Sequence, residues 1–135
     1  AILLGQLEQY RSVEDGRRSI VNYYQEVLRD WATANGIEMP VVADDQEDPS
    51  HLFAITMPSL EARSAFIRHL DLKGISAAFH YQPLHESQAG QDFGRFDSCQ
   101  FSSMLGDHLV RLPVHLSLAE DDLHRIVEAT AGFET

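Results

Sequence analysis

The densest group of polar side chains at the end of a predicted strand is the segment 80–85, which reads HYQPLH. It closes a predicted strand, and loops that begin at strand ends carry many of the binding residues of proteins. Imidazole and phenol groups donate and accept hydrogen bonds, so His80, Tyr81 and His85 are candidate contacts to a polar substrate. The alternative is that the two histidines only hydrogen-bond the backbone at the strand end.

The residue pattern gives less support for a metal site, a catalytic nucleophile or a nucleotide-binding loop. Two histidines five positions apart suggest a metal, but no third ligand stands at a recognisable spacing and no cysteine pair is present. Cys99 lacks a base that the sequence reveals, and G-x-S-x-G and Walker motifs are absent. Arg111 is a candidate contact to an anionic group, with a surface ion pair as the alternative. We expect no metal site and no complete set of catalytic residues within the chain.

Length and composition limit the class of protein. The chain has 135 residues, which suits one domain, and its single cysteine excludes an internal disulfide. The formal net charge of −11 repels phosphate backbones, so we expect no nucleic-acid partner. No apolar run approaches the ~20 residues of a membrane span, so no membrane partner is expected. The first residues lack the basic segment of a signal peptide, which together with the free thiol favours a cytoplasmic location.

Three amphipathic helices are predicted from apolar residues at helical spacing. They cover about residues 2–34, 60–73 and 117–131. Ser59 is the predicted N-cap of the second helix and Gly74 follows its end, while Ser117 and Glu120 form a predicted capping box for the third. The first helix is under way at residue 1 without a capping residue, so we interpret the chain as excised from something longer. An ordinary N-terminus with a frayed helix is the alternative.

Three short strands are predicted between these helices. They cover residues 51–57, 75–81 and 108–114, and Pro113 indicates a sheet edge at the end of the third. Residues 38–50 read as an acidic loop with a short extended piece at Met39–Val42, and residues 82–107 as a long loop with one short helix near 101–105. The order predicts an α+β fold, an α/β two-layer sandwich in which a small, mostly antiparallel sheet is covered by helices on one face.

One motif resembles a known family. The pattern Tyr81-x-Pro83-Leu84-His85 is similar to that of the C-terminal small domain of the sugar-nucleotide aminotransferases, which depend on pyridoxal 5'-phosphate (PLP). Further matches extend the resemblance over the whole chain: Gln6-Leu7, Arg17, Tyr24, His80, Ser87, Ala89-Gly90, Phe93-Gly94 and Arg111-Leu112-Pro113.

The resemblance implies a fold type I enzyme of which residues 1–135 are the small domain and residues 1–34 the long helix leading out of the large domain. The implied reaction moves an amino group, supplied by glutamate, to carbon 4 of a dTDP-4-keto-6-deoxyhexose, in a homodimer that serves lipopolysaccharide or enterobacterial common antigen synthesis. The resemblance also places the segment with His80, Tyr81 and His85 at the mouth of the cofactor cleft.

In such enzymes the lysine that binds PLP covalently, the aspartate facing the pyridine nitrogen and the stacking aromatic lie in the large domain. The only lysine here, Lys73, precedes Gly74 at a predicted helix end, where a cation complements the helix dipole. We therefore expect no PLP bound to this chain alone, and we expect Leu3, Leu7 and Tyr10 to be exposed on the first helix. The alternative function is a free-standing α+β module whose loop 82–107 binds a small ligand or a partner protein.

Overall fold

The computed structural model describes residues 2–41 and 50–135. The helices are α1 (Ile2–Glu8), α2 (Tyr10–Val27), α3 (Arg29–Ala34), α4 (Leu60–Leu72), α5 (Gln88–Phe93), α6 (Gln100–His108) and α7 (Glu120–Ala131). The strands are β1 (Phe53–Thr56), β2 (Ala78–Phe79) and β3 (Leu109–Leu112), and a 3-10 helix spans Leu84–Glu86. Within these residues, no helix combines the length and the apolar character needed to cross a membrane.

The three strands form one antiparallel sheet in the order β1-β3-β2. Phe53 pairs with Leu112 and Ile55 with Val110, and all four side chains are buried against the helical layer. The fold is therefore the predicted α+β sandwich. The edge position predicted for the third strand is wrong, because β3 is the central strand. Pro113 is tolerated there since it lies one residue beyond the hydrogen-bonded ladder.

The core joins the helices to one face of the sheet. Tyr24 of α2 is fully buried, packs on Phe53 with ring centroids 5.3 Å apart, and donates a hydrogen bond of 2.9 Å to the carbonyl of Pro113. Trp31 of α3 donates from Nε1 to the carbonyl of Phe133, 2.8 Å away, which ties the C-terminal residues to the same core. The long N-terminal helical segment is thereby fixed to the residue that follows β3 and to the C-terminal residues.

The predicted helix over residues 2–34 is divided into α1, α2 and α3 at Gln9 and Leu28. The interruption at Leu28 is local, since its amide still donates to the carbonyl of Tyr24 and its own carbonyl accepts from Ala32. Its backbone angles of φ −91° and ψ −3° depart from helical values without reversing the chain. The helical direction is consequently retained across the interruption.

Of the other two predicted helices, one has its ends as predicted and one does not. The helix predicted at 60–73 is confirmed as α4, with Ser59 accepting a bond from the amide of Ala62 and Gly74 at φ +70°. The capping box predicted at Ser117 is wrong. The last helix begins at Glu120, and its cap is the carboxylate of Asp122, which accepts from the amide of Ala119 at 3.1 Å.

The segment 82–107 differs most from its prediction as a long loop with one short helix. It contains the 3-10 helix, all of α5 and most of α6. The predicted strand over 75–81 is correspondingly shorter, since only β2 is paired. Of the extended piece predicted at Met39–Val42, residues 39–41 have no regular structure and Val42 lies outside the described residues, while the neighbouring Glu38 forms a single bridge with Thr56.

Candidate functional site

Tyr81 lies at the centre of one group of predicted site residues. Its ring meets that of His80 edge to face, with centroids 5.1 Å apart, and the guanidinium carbon of Arg111 lies 5.4 Å from the Tyr81 centroid. The Tyr81 side chain is 75% exposed. The structure therefore brings three of the four predicted residues together and presents an aromatic ring with a cation on it to solvent.

Arg111 reaches this position because of its place in the sheet. It pairs with Ala54 on one side and Ala78 on the other, on the face opposite the buried Phe53 and Val110. Two alanine neighbours leave room for the guanidinium, which donates one bond of 3.4 Å to the carbonyl of Phe79. Its Nε is buried and has no partner among the described residues. A guanidinium has five N–H donors, so donors other than the enclosed Nε remain for an anion or a hydroxyl group.

His80 is half-buried beside the exposed Tyr81. Its Nδ1 is buried and has no hydrogen-bond partner within the described residues. An unpaired buried nitrogen costs free energy unless a water or a ligand bonds to it. The hydrogen bond to the backbone that the alternative interpretation requires is therefore not formed at this nitrogen.

His85 belongs to a second group. Its Nε2 lies 3.0 Å from Ser103 Oγ on α6 and 3.6 Å from Glu86 Oε1, and its ring packs against Phe96 with centroids 5.4 Å apart. Ser103 in turn donates to Glu86 Oε1. Neither Ser103 nor Glu86 was singled out by the sequence, and no local pattern would have found them because α6 must fold back onto the segment before the contact exists.

The local structure explains two residues of the pattern that carries the family resemblance, Ser87 and Gly90. Ser87 caps α5 by accepting from the amide of Gly90 at 3.0 Å, and its hydroxyl donates to the carbonyl of Leu84 at 2.7 Å. A Cβ at Gly90 would overlap the Leu84 carbonyl, so no side chain fits there. Serine and glycine at these positions therefore fold the chain back directly after His85.

A groove of about 500 Å³ lies next to both groups. Its polar lining residues are Arg63, Ser64, Gln82, Glu86 and Asp107. Arg63 of α4 lies over the ring of Phe79, 5.5 Å from its centroid, and its Nε is buried without a partner in the described part of the chain. Glu86 is shared with the His85 group, and the Phe79 carbonyl is bonded to Arg111. The groove thus borders Glu86 of the His85 group and Phe79, whose carbonyl bonds Arg111. Sequence patterns did not single out Arg63.

These residues do not form a cofactor or metal centre. Lys73 is exposed at the C-cap of α4, where its ammonium remains in water, whereas a lysine that binds PLP covalently needs a desolvated site. Among residues 2–41 and 50–135, no three histidine, cysteine, aspartate or glutamate side chains are grouped closely enough to hold a metal ion. The groups described above are suited to hydrogen bonding and electrostatic recognition.

The sequence matches the model of the DegT/DnrJ/EryC1/StrS aminotransferase family over residues 1–131, and the chain belongs to that family. It is 28% identical over 130 residues to dTDP-3-amino-3,6-dideoxy-alpha-D-galactopyranose transaminase of Aneurinibacillus thermoaerophilus. It is also 28% identical over 131 residues to dTDP-3-amino-3,4,6-trideoxy-alpha-D-glucose transaminase of Micromonospora megalomicea subsp. nigra. The matches cover 96% and 95% of this chain and 34% of each relative, so the chain spans about a third of their length.

Solved aminotransferases have the same fold over this region. DesV of S. venezuelae, solved in complex with a ketimine intermediate, superposes with a TM-score of 0.84 at 26% identity, over 96% of this chain and 34% of DesV. The PLP-form of the sugar aminotransferase Spr1654 of Streptococcus pneumoniae superposes with a TM-score of 0.77 at 26% identity, over 95% of this chain and 33% of the Spr1654 chain. Family membership and fold thus agree.

Proposed function

We propose that this chain is the C-terminal small domain of a PLP-dependent sugar-nucleotide aminotransferase, with residues 1–34 leading out of a large domain. The observation that carries the proposal is the family match over residues 1–131 combined with coverage of only a third of the relatives. The position of Lys73 supports it as well, because the chain contains no other lysine and therefore needs a second domain for cofactor chemistry.

The role of this domain is to bind the nucleotide sugar. A hexose offers hydroxyl groups and a diphosphate offers anionic oxygens. Tyr81 and His85 are suited to hydrogen-bond the hydroxyl groups of the hexose. Arg111, which lies over the Tyr81 ring, is suited to bind the anionic oxygens of the diphosphate. The ring of His80 packs edge to face on Tyr81 and completes the set. In this assignment the four residues contact the substrate and the remaining reacting groups come from the large domain.

The substrate is a dTDP-4-keto-6-deoxyhexose that receives its amino group at carbon 4 from glutamate. Support comes from the extended pattern between His80 and Gly94, which is similar to that of dTDP-4-amino-4,6-dideoxygalactose transaminase. The two curated relatives are named for amino groups at carbon 3. Amination at carbon 3 is therefore the alternative to the proposed amination at carbon 4. The whole enzyme is proposed to be a cytoplasmic homodimer.

The test begins with the reading frame that encodes this chain, in which a large domain upstream should carry a lysine suited to bind PLP. The purified whole protein is then incubated with glutamate and either the 4-keto or the 3-keto dTDP-6-deoxyhexose. The aminated carbon is assigned by NMR of the product. Amination of the 3-keto sugar alone would contradict the carbon 4 assignment. A complete chain without a second domain would contradict the whole proposal and favour a free-standing binding module.

His85→Ala tests the binding assignment in the same enzyme. Losing the imidazole should lower kcat/KM for the sugar by at least ~10-fold while the absorbance of bound PLP is unchanged. His115→Ala is the matched control, because His115 is exposed and lies outside the two groups of site residues. Equal kinetics in the two variants would show that His85 has a structural role only.

A further inference from the structure

His85, Ser103 and Glu86 form a chain of hydrogen bonds whose direction follows from chemistry. A serine hydroxyl has one hydrogen, and in this structure it points to Glu86 Oε1, because a carboxylate only accepts. The contact between His85 Nε2 and Ser103 Oγ, at 3.0 Å, must then have the imidazole as donor. The Nε2 of His85 therefore carries a hydrogen.

The other ring nitrogen of His85, Nδ1, has no protein partner among the described residues. It is not one of the buried unpaired atoms, in contrast to Nδ1 of His80. Nδ1 is therefore not fully enclosed, although the His85 side chain as a whole is only 16% exposed. In a neutral imidazole with hydrogen on Nε2, Nδ1 is an acceptor.

We propose that Ser103 and Glu86 are positioning residues that hold His85 in the Nε2–H tautomer, so that Nδ1 accepts a hydrogen bond from a hydroxyl group of the bound sugar. The ligand class and the role of His85 rest on the proposed function, whereas the tautomer and the hydrogen bonds rest on the geometry alone. The ring of Phe96 packs against the imidazole and restricts its rotation. A nucleophilic serine is not implied, since Ser103 gives its hydrogen to Glu86 and not to the imidazole.

The first experiment is NMR of the chain labelled with ¹⁵N at histidine, with the His85 signals assigned from His85→Gln. We expect the neutral ring to carry its hydrogen on Nε2 and this hydrogen to exchange slowly enough to be observed. Ser103→Ala should abolish the signal, and Ser103→Thr should retain it because the hydroxyl is kept. Ser102→Ala, an exposed neighbour on α6, is the matched control and should leave it unchanged.

Hydrogen on Nδ1 of His85, or a signal that persists in Ser103→Ala, would overturn the proposal. If Ser103→Ala fails to fold, the exchange rate of the His85 Nε2 hydrogen in Glu86→Gln tests the positioning role instead. The amide keeps the size of the carboxylate but weakens acceptance from Ser103, so the Nε2–H exchange rate should rise.

The second experiment measures kinetics in the whole enzyme. Ser103→Ala should raise KM for the sugar about 3- to 10-fold with little change in kcat, the effect of losing one oriented hydrogen bond. An unchanged KM in Ser103→Ala, with a raised KM in His85→Ala, would overturn the positioning role and leave the proposed function intact. If the whole protein does not aminate a sugar, the proposed function fails, and the NMR result still decides whether the tautomer is held.

Discussion

The guanidinium of Arg111 lies over the ring of Tyr81, 5.4 Å from its centroid, although Arg111 is in the central strand and Tyr81 follows an edge strand. The stacking holds one side of a tyrosine that remains 75% exposed. A ring held in this way can orient a hydroxyl toward a substrate at low entropic cost. The pair therefore gives a direct test of the proposed binding surface.

Tyr81→Phe keeps the ring over Arg111 and removes only the hydroxyl group. In the whole enzyme we expect kcat/KM for the nucleotide sugar to fall at least ~10-fold, a loss of about 1.4 kcal/mol of transition-state binding. The absorbance of bound PLP should not change. Tyr23→Phe is the control, because Tyr23 packs on His124 away from the site. Wild-type kinetics in Tyr81→Phe would show that this hydroxyl does not contact the substrate.

The isolated 135-residue chain should neither bind PLP covalently nor transaminate. The reason is that Lys73 is exposed at a helix end and its amine is not desolvated. Dialysis after incubation with PLP should leave no absorbance at roughly 410–430 nm. A band that survives dialysis in the unmodified chain and is lost in Lys73→Ala would contradict this expectation.

The structure confirms that the apolar residues singled out from the sequence are exposed, with Leu3 69% and Leu7 62% exposed on α1 and Tyr10 56% exposed at the start of α2. Apolar residues grouped in this way promote association, so the isolated chain should self-associate as its concentration rises. The double variant Leu3→Gln, Leu7→Gln should sediment as a monomer. Leu72→Gln replaces a leucine that is 88% exposed at the end of α4 and serves as the control. Sedimentation of the unmodified chain as a monomer at high concentration would contradict the prediction.

Local rules explain why some elements were predicted from the sequence. Ser59 and Gly74 act within three or four residues of their own positions, as a side-chain acceptor for a free amide and as a residue that tolerates φ +70°. Such features need no knowledge of the remainder of the fold. Both ends of α4 were accordingly placed to within one residue.

Long-range contacts explain what the sequence did not reveal. The central position of β3 depends on pairing with β1 and β2, which precede it by many residues, and a single proline carried no information about that order. The Ser103 and Glu86 contacts to His85 form only after α6 packs back on the segment. His80, Tyr81 and Arg111 were singled out from the sequence because their residue types suit recognition. Arg63 became a candidate only through its position over the Phe79 ring in the structure.

Gly90 provides a test of the tight turn that follows the site. Alanine there would overlap the carbonyl of Leu84, so Gly90→Ala should lower the free energy of unfolding by about 1–3 kcal/mol. Gly5→Ala is the matched control, because a Cβ at Gly5 meets nothing within 4 Å and α1 favours alanine over glycine. Urea unfolding of both variants measures the difference. Equal stability of the two variants would show that the backbone contact at Gly90 relaxes without cost.

The buried phenol of Tyr24 should make the fold sensitive to alkaline pH. Burial, and to a smaller degree Tyr23, raises the pKa of Tyr24 above its ordinary value of 10.0. Above about pH 10 the unfolded chain loses this proton while the folded chain keeps it, so the free energy of unfolding falls as pH rises further. Tyr24→Phe should remove this part of the alkaline loss of stability. At neutral pH the same variant should lower the free energy of unfolding by about 1–3 kcal/mol, because the Pro113 carbonyl loses its donor.

Urea unfolding at about pH 7 and about pH 10.5 measures both effects, with Tyr81→Phe as an exposed control. Parallel alkaline losses in Tyr24→Phe and the unmodified chain would assign the sensitivity to other groups.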